Sequence, residues 1–417
     1  MSSSFDAAGH DVAVAFRTLG CKVNRVESDS IAAELLGRGA RIVDEDEAEV
    51  VVINTCTVTA EADAKARKAI RQALRAERAP VVVVTGCLAA LDAPALRALG
   101  VRVVVESDKE RVAERVADLL GLDALAESRA CAAARAGAGF RTRAALKVED
   151  GCDNFCTYCI VPHARGVPRG VPLADVLVEA EGLVTAGVRE IVLTGINIGR
   201  YRDSATGADL AGLIGAVAQT GIERLRLSSI EPPDLTERVI SVLAETPAVC
   251  EHLHVPLQSG SDAVLSAMGR TYSTGDYRRR ITSARDAIPR LAVTTDVIAG
   301  FPGETGQAHA ETLAFIEGLG FSKLHVFRYS VRPGTPAAGM VQVAPEVRSE
   351  RAAEIRALGD EMRGRYAASR TGCDAEVLVE RVVGGVVSGT TRDYLKVTGP
   401  APRHAKAGDV VTLIISP

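Results

Sequence analysis

The decisive stretch reads GCDNFCTYCIVPHARG (residues 151–166) and directly follows AALKVE (144–149), a short run typical of a β-strand. It places Cys152, Cys156 and Cys159 in the spacing CxxxCxxC. Three thiolates on one tight loop can hold three irons of a [4Fe–4S] cube, and the fourth iron then stays open. An open iron can bind a chelating ligand such as the amino and carboxylate groups of S-adenosylmethionine (SAM). The alternative is a structural zinc site, closed by His163 as fourth ligand.

The chain around this loop predicts a series of alternating strands and helices. Helical patterns separate short apolar runs, which are AALKVE (144–149), REIVLTG (189–195), RLRLSSI (224–230), HLHVPL (252–257), AVTTDVIAG (292–300) and KLHVFRYS (323–330). Six such units favour a partial (β/α)6 barrel, and an eight-fold barrel remains the alternative. Barrel active sites lie at the carboxyl ends of the strands, which is where this series places the cysteine loop.

A second set of cysteines follows strands of a separate N-terminal domain. The runs VAVAFRTLG (12–20), EVVVINT (49–55) and APVVVVTG (79–86) predict buried parallel strands, and VRVVVES (101–107) a further one. Because carboxyl ends of parallel strands share one sheet edge, we expect the three cysteines that follow the first three runs to meet there. They are Cys21, Cys56 and Cys87. Zinc or a second iron–sulfur cluster fits such a set, whereas three unrelated buried cysteines are the alternative.

Bulk properties limit the class of protein. A length of 417 residues predicts two or three domains, and a net charge of −4 restricts any nucleic-acid binding to local patches. Neither a signal peptide nor an apolar run long enough to span a bilayer is recognisable, which predicts a cytoplasmic protein without membrane contact. In that compartment nine cysteines indicate metal ligands or buried thiols, not disulfides. Cys131, Cys250 and Cys373 belong to neither set.

We expect four segments along the chain. These are an α/β domain with a parallel sheet (1–122), a linker rich in Ala, Arg and Gly (123–142), the barrel with a long charged helix at its end (143–370) and a small all-β module (371–417). Five basic and five acidic residues leave the last module without a net positive charge. Any RNA binding by it therefore cannot be inferred from charge.

Taken together, these motifs resemble the radical SAM methylthiotransferase family over nearly the whole chain. The resemblance implies a radical SAM cluster on Cys152, Cys156 and Cys159, an auxiliary [4Fe–4S] cluster on the N-terminal cysteines, and a C-terminal module like the RNA-binding TRAM domain. It also implies SAM as cofactor, with two molecules used per turnover. The implied partners are the anticodon loop of a tRNA and an electron donor such as a flavodoxin or ferredoxin.

The resemblance also suggests which residues contact SAM. Tyr158 matches the aromatic residue between the last two cysteines of radical SAM enzymes. The other candidates come from the strand ends LTGIN (193–197), SSIEP (228–232), HVPLQSGSD (254–262) and DVIAGFPGET (296–305). They are Gly195, Ser229, Gln258, Ser259, Asp296, Ile298 and Gly300. Arg165 and Arg169, just past the loop, are more typical of surface or packing residues.

Within the family, TLGCKVNRVES (18–28) is most similar to enzymes that convert N6-threonylcarbamoyladenosine, at position 37 of tRNA, to its 2-methylthio derivative. Lys22, Val23 and Asn24 carry this prediction. The alternatives are the branch acting on isopentenyladenosine and the branch acting on a ribosomal-protein aspartate. A non-catalytic iron–sulfur electron carrier or redox sensor is the alternative from another class. Arg328 stands where many members of the family have Pro.

Overall fold

The computed structural model of the chain describes residues 12–122 and 142–416. The predicted linker (123–142) lies outside the described residues except for Thr142. Cys131 also lies outside them. The chain divides into two compact units, Met1–Ala138 and Gly139–Pro417. Among the described residues, every helix is too short or too polar to cross a lipid bilayer.

The N-terminal unit contains the predicted parallel sheet. Its strands are β1 (Ala13–Thr18), β2 (Arg41–Ile42), β3 (Val50–Thr55), β4 (Val81–Gly86) and β5 (Val103–Val105). They lie in the order β2-β1-β3-β4-β5, so that the three strands preceding a cysteine are neighbours. The helices are α1 (Lys22–Gly37), α2 (Ala60–Leu74), α3 (Cys87–Arg97) and α4 (Val112–Leu120). Strand β2 was not predicted, because two exposed residues give no periodic signal.

Both faces of this sheet are covered, which explains why its strands read as continuous apolar runs. Val51 and Ile53 of β3 pack on one face with Ile70 of α2, while Val52 packs on the other with Leu35 of α1. All five side chains have no exposed surface. The chain therefore reads VVVIN where a half-exposed strand would alternate apolar and polar residues.

The second unit contains the predicted six-stranded partial barrel. Its strands are β6 (Ala144–Lys147), β9 (Glu190–Thr194), β10 (Arg224–Leu227), β11 (His252–His254), β12 (Ala292–Ala299) and β13 (Lys323–Arg328), and a short hairpin of β7 (Glu149–Asp150) and β8 (Arg169–Gly170) encloses the cysteine loop. They form two parallel arrays, β6-β9-β10 and β11-β12-β13. Bridges at Leu225–Val249 and Ser229–His254 join the two arrays.

Helices cover the outside of the barrel. They are α5 (Val161–Arg165), α6 (Leu173–Thr185), α7 (Leu210–Ala218), α8 (Glu237–Glu245), α9 (Asp262–Ala267), α10 (Thr274–Ala287), α11 (Gly306–Leu319) and α12 (Pro345–Arg370). Val297 of β12 and Val326 of β13 pack outward against Ile316 of α11 and Ile355 of α12. Since side chains alternate along a strand, Asp296 and its neighbours at even spacing face the barrel interior.

The C-terminal module is the predicted small all-β domain. Strands β14 (Asp374–Val383), β15 (Val386–Thr391), β16 (Lys396–Pro400) and β17 (Val410–Ile414) form an antiparallel sheet in the order β16-β15-β14-β17. Its own small core includes Val377, Val379 and Leu413.

A buried charge network attaches this module to the amino-terminal end of the barrel strands. Nε of Arg224 donates to Glu190 over 2.8 Å and Nε of Arg226 donates to Glu190 over 3.0 Å. Their terminal nitrogens donate to the backbone carbonyls of Thr390 (3.1 Å) and Thr391 (3.2 Å). Neither guanidinium is more than 1% exposed. Burial alone would raise the pKa of Glu190, but the surrounding arginines lower it to about 2.

Candidate iron–sulfur and SAM site

The cysteine loop is held in a tight conformation that its sequence explains. The backbone N–H of Cys152 donates to Gly166 over 2.9 Å, and that of Cys159 donates to Cys156 over 2.9 Å. Gly151 has φ +102°, and a Cβ there would lie 2.1 Å from the carbonyl oxygen of Val167, so this position requires glycine. The loop therefore presents three thiols on a short, closed turn at the carboxyl end of the first barrel strand.

Hydrogen-bond donors point at the sulfur atoms of this loop. Nη1 of Arg270 lies 3.1 Å from Sγ of Cys156, and Nδ2 of Asn197 lies 3.9 Å from Sγ of Cys152. Arg270 is buried and also pairs with Glu231, from the strand end SSIEP. Arg270 was not predicted from the sequence, because it is 114 positions from Cys156 and follows no recognisable motif.

The loop fits an iron–sulfur cluster chemically. Burial raises the pKa of Cys159 to about 12 and also raises that of Cys152, so free thiols here would be neutral at physiological pH. Metal coordination deprotonates a thiol outright. A buried guanidinium and an amide aimed at sulfur then stabilise the resulting negative charge. The donor set is therefore suited to metal-bound thiolates.

The same geometry argues against the zinc alternative. Zinc–sulfur bonds of about 2.3 Å in a tetrahedron place thiolates about 3.8 Å apart. Over residues 12–122 and 142–416, one group of three metal-binding side chains has all its ligand atoms within 4.8 Å of one another, and it contains His254, Asp296 and His325, not the cysteines. His163, the suggested fourth zinc ligand, is exposed. Among these residues, the three cysteines and His163 therefore do not form a compact four-ligand set.

The N-terminal cysteines also converge. Asn24 connects two of their loops: its Nδ2 donates to the carbonyls of Leu19 and Thr55, both over 2.9 Å, and its Oδ1 accepts from Sγ of Cys21 over 3.4 Å. A Cβ on Gly20 would lie 2.9 Å from Sγ of Cys56. Asn24 thus has a visible structural role beside two of the three predicted ligands.

Charge interactions indicate that Cys87, the third cysteine, lies near the other two. Burial raises the pKa of Cys56, and negative charge on Cys87 or Cys21 would raise it further. Three mutually repelling thiolates require a cation to stabilise them, which a metal cluster provides. Cys56 and Cys87 are buried, whereas Cys21 is exposed.

The residues predicted to contact SAM occupy different environments. Tyr158 packs edge-on against Phe301, with ring centroids 6.3 Å apart. Ser229 is exposed. Ser259 has no exposed surface, and its hydroxyl lies 3.2 Å from that of Thr312 on α11, so it stabilises the turn after β11 from inside.

Backbone pairing brings several of the others together. Gln258 donates its N–H to the carbonyl of Asp296 and accepts from the N–H of Ile298, both over 2.9 Å. The two candidate glycines are tightly packed: a Cβ on Gly195 would lie 2.8 Å from a carboxylate oxygen of Glu149, and one on Gly300 (φ +72°) would overlap Arg348. These contacts are sufficient to explain both glycines structurally.

Other residues singled out from the sequence have structural partners. Nη1 of Arg165 lies 2.8 Å from Asp150, in an ion pair that is almost fully buried at the arginine. Arg169 is exposed and pairs through its backbone with Asp150. Arg328 projects away from the barrel interior and donates to Ser349 of α12 over 3.2 Å.

Two family models and several curated proteins match this chain. The family model described as uncharacterized protein family UPF0004 matches residues 13–105, and the radical SAM superfamily model matches residues 146–316. The chain is 40% identical over 416 residues to threonylcarbamoyladenosine tRNA methylthiotransferase MtaB of Bacillus subtilis, covering 92% of this chain and 89% of that protein. The MtaB protein of Thermotoga maritima is 36% identical over 392 residues, covering 92% and 90%.

Two further proteins, one compared by sequence and one by structure, are similar to this chain. The tRNA-2-methylthio-N(6)-dimethylallyladenosine synthase of Acidothermus cellulolyticus is 37% identical over 429 residues, covering 96% of this chain and 85% of that protein. In fold, the chain is similar to the radical SAM methyltransferase TsrM of Kitasatospora setae, with a TM-score of 0.57, 16% identity and coverage of 98% and 86%. Full-length similarity at this level establishes the family, and the chain belongs to the radical SAM methylthiotransferases.

Proposed function

We propose that this chain methylthiolates N6-threonylcarbamoyladenosine at position 37 of tRNA, giving its 2-methylthio derivative. The observation that carries the proposal is its 36–40% identity, over 92% of the chain, to three proteins named threonylcarbamoyladenosine tRNA methylthiotransferase MtaB. The contacts of Asn24 with the loops of Cys21 and Cys56 support the placement of an auxiliary cluster there.

The cofactors of this family are SAM and two [4Fe–4S] clusters. We assign the radical SAM cluster to Cys152, Cys156 and Cys159, and the auxiliary cluster to the three N-terminal cysteines, Cys21, Cys56 and Cys87. Their convergence and the donors near them support the assignment. Bound SAM supplies, on one-electron reduction, the radical that removes a hydrogen atom from an unactivated carbon.

The residues of the chain have positioning tasks in this reaction. Arg270 and Asn197 hold the sulfur-bearing loop and offset its negative charge. Glu231 in turn holds the Arg270 side chain. Burial around Cys156 and Tyr158 excludes water from a reactive radical. The eight predicted SAM contacts remain part of the proposal, with Ser259 acting through the turn that it stabilises.

The partners in this proposal are tRNA and a reductant. An adenine C–H is too weakly acidic for a side chain to deprotonate, so a low-potential one-electron donor such as a flavodoxin or ferredoxin must reduce the site. Two SAM molecules per turnover are expected, one as methyl donor and one as radical source. The C-terminal module, docked on the barrel, is the candidate RNA-binding surface.

The test is anaerobic reconstitution with iron, sulfide, SAM and dithionite, using tRNA from cells that lack methylthio modification. Nucleoside mass spectrometry should detect 2-methylthio-N6-threonylcarbamoyladenosine. Product on isopentenyladenosine instead would favour the second subgroup, to which the chain is 36–39% identical. SAM cleavage with no altered nucleoside would contradict a tRNA substrate, and absence of SAM cleavage would favour the electron-carrier alternative.

A further inference from the structure

A continuous chain of polar side chains crosses the interior of the barrel on β11, β12 and β13. Nε2 of His252 and Nδ1 of His254 lie 3.0 and 2.9 Å from Oγ1 of Thr294. Nε2 of His254 and Nδ1 of His325 each lie 3.2 Å from Oδ1 of Asp296. The rings of His254 and His325 stack with centroids 5.4 Å apart. Of these residues only Asp296 was predicted from the sequence, although alternation in HLHVPL and KLHVFRYS places His254 and His325 on the same face as Asp296.

The hydrogen bonds among these polar side chains show which of their atoms donate and which accept. Burial alone would raise the pKa of Asp296, but its bonds to His254 and His325 lower it, so it is an ionised acceptor. Both imidazoles therefore donate to it, His254 from Nε2 and His325 from Nδ1. The second nitrogen of the His325 ring, Nε2, then lies on the side away from Asp296. The His325 side chain is 41% exposed, so part of the ring is accessible to a ligand.

An exposed aromatic side chain stands beside His325. Phe327 is two residues further along β13, hence on the same face, and is 46% exposed. In the sheet it pairs with Ile298, which packs in one apolar cluster with Tyr158 and Met268. The backbone N–H of Thr157, inside the cysteine loop, donates to Met268 over 2.9 Å. The face that carries His325 and Phe327 is therefore continuous with the cysteine loop.

We propose that Phe327 and His325 form the nucleoside-binding face of this enzyme: Phe327 stacks on the adenine, and Nε2 of His325 donates to the carboxylate of its threonylcarbamoyl substituent. This inference rests on the proposed function. Proteins that read RNA bases stack splayed-out bases on aromatic side chains. Placed between Asp296 and a ligand carboxylate, the His325 ring would carry N–H on both nitrogens and donate to each of them.

The chemistry of the two possible substrates makes His325 a specificity-determining residue. Threonylcarbamoyladenosine carries an anionic carboxylate, whereas dimethylallyladenosine carries an apolar group at the same nitrogen. A hydrogen bond between charged groups contributes roughly 1.5–3 kcal/mol, which corresponds to about 10- to 100-fold in affinity. Stacking of one base on an aromatic ring raises affinity by roughly 5- to 150-fold and does not distinguish the substituents.

The experiment measures binding, not turnover. Dissociation constants of the reconstituted full-length enzyme are determined anaerobically by fluorescence anisotropy for anticodon stem-loops that differ only at position 37. The loops carry threonylcarbamoyladenosine, its analogue with the carboxylate reduced to an alcohol, or dimethylallyladenosine. Wild type should prefer the carboxylate over the alcohol about 10- to 100-fold, and His325→Leu should reduce this ratio to near one.

Two further variants separate the roles. Phe327→Ala should weaken binding of all three loops by a similar factor of about 10 and keep the carboxylate preference. Arg328→Ala removes a neighbouring cation from the opposite face of the same strand and should also keep the preference.

Three outcomes would overturn the inference or its basis, and they are distinguishable. A His325→Leu variant that keeps the carboxylate preference overturns the His325 assignment alone. A wild type that prefers the dimethylallyl loop overturns the proposed substrate itself. Stoichiometric zinc in the wild type, lost in His325→Leu, would show that His254, Asp296 and His325 are metal ligands, so that His325 does not bind the substrate.

Discussion

At the scale of single residues, the two cysteine sets should differ in what they control. Cys56→Ala should preserve reductive cleavage of SAM but abolish methylthio transfer, because the loop of Cys152, Cys156 and Cys159 stays complete. Cys156→Ala should abolish both, since it removes a thiolate from the proposed ligands of the radical SAM cluster. The two activities are measured as 5′-deoxyadenosine by chromatography and as methylthio nucleoside by mass spectrometry.

A matched control is Cys373→Ala, which removes a half-buried thiol of the C-terminal module that belongs to neither set. It should keep both activities and the full iron content. Full product formation by Cys56→Ala would show that the auxiliary-cluster assignment is wrong. Iron content of each variant separates loss of one cluster from general misfolding.

Local spacing pointed to the two cysteine sets, but not to the side chains that surround them. CxxxCxxC is visible within eight residues, and three cysteines at equivalent strand ends follow from the parallel sheet. Arg270, in contrast, reaches Cys156 only because α9 returns to the loop in the folded chain. A contact between distant positions leaves no periodic or spacing signal in a single sequence.

At the scale of secondary-structure elements, strands β9 and β10 carry a charge cluster that substitution should reveal. Glu190→Gln would leave the buried Arg226 without its carboxylate partner and would leave Arg224 with only the partly exposed Glu376. Removing one partner of a buried ion pair typically costs about 3–5 kcal/mol. We therefore expect a drop of several degrees in the thermal unfolding midpoint of the reconstituted protein, measured by circular dichroism.

Glu223→Gln is the matched control, because Glu223 pairs with Arg189 at the surface, where both side chains are nearly half exposed. Its effect should stay within about 0.5 kcal/mol. The pKa of Glu190 is lowered to about 2 in the folded state, so its stabilisation is complete above its unfolded value and is lost only as pH falls toward 2. The gap between wild type and Glu190→Gln should hence be constant from pH 5.5 to 7.5, and a gap that closes in this range would contradict the assignment.

The strands themselves were largely predictable, whereas this network was not. All six barrel strands were expected within a few residues of their observed bounds, since apolar runs are local features. RLRLSSI was predicted only as one of the barrel strands, and nothing in its pattern indicated a partner for its two arginines. In the folded chain those arginines are covered by the C-terminal module, 166 positions away for Arg224 and Thr390. The two arginines of this strand therefore belong to the interface with the C-terminal module and are not exposed to solvent.

At the scale of the second unit, side-chain contacts hold the barrel and the C-terminal module together, so they are not two domains joined only by a linker. Arg392 extends the network: its guanidinium donates to Glu251 over 2.9 Å and to the carbonyl of Val249 over 2.6 Å. Tyr394 stacks on His252 with centroids 4.6 Å apart and lies under the guanidinium of Arg226 at 4.8 Å. A module held in this way presents any bound RNA to the barrel in a fixed orientation.

Cleavage of the connection between the two should therefore not release the module. A protease site inserted after Thr371, an exposed residue at the end of α12, allows the chain to be cut once the protein has folded. Hydrogen bonds to charged groups contribute roughly 1.5–3 kcal/mol each, and Arg224 and Arg226 alone donate several across the junction. The fragments should co-elute on size-exclusion chromatography at micromolar concentration.

In the Glu190→Gln background the module should separate, because the arginines lose the carboxylate that orients them. Arg381→Ala is the control: Arg381 lies on the module but outside this network, so this variant should leave the fragments together. Separation of the wild-type fragments would show that the C-terminal module is a tethered domain and that its position over the barrel is not fixed.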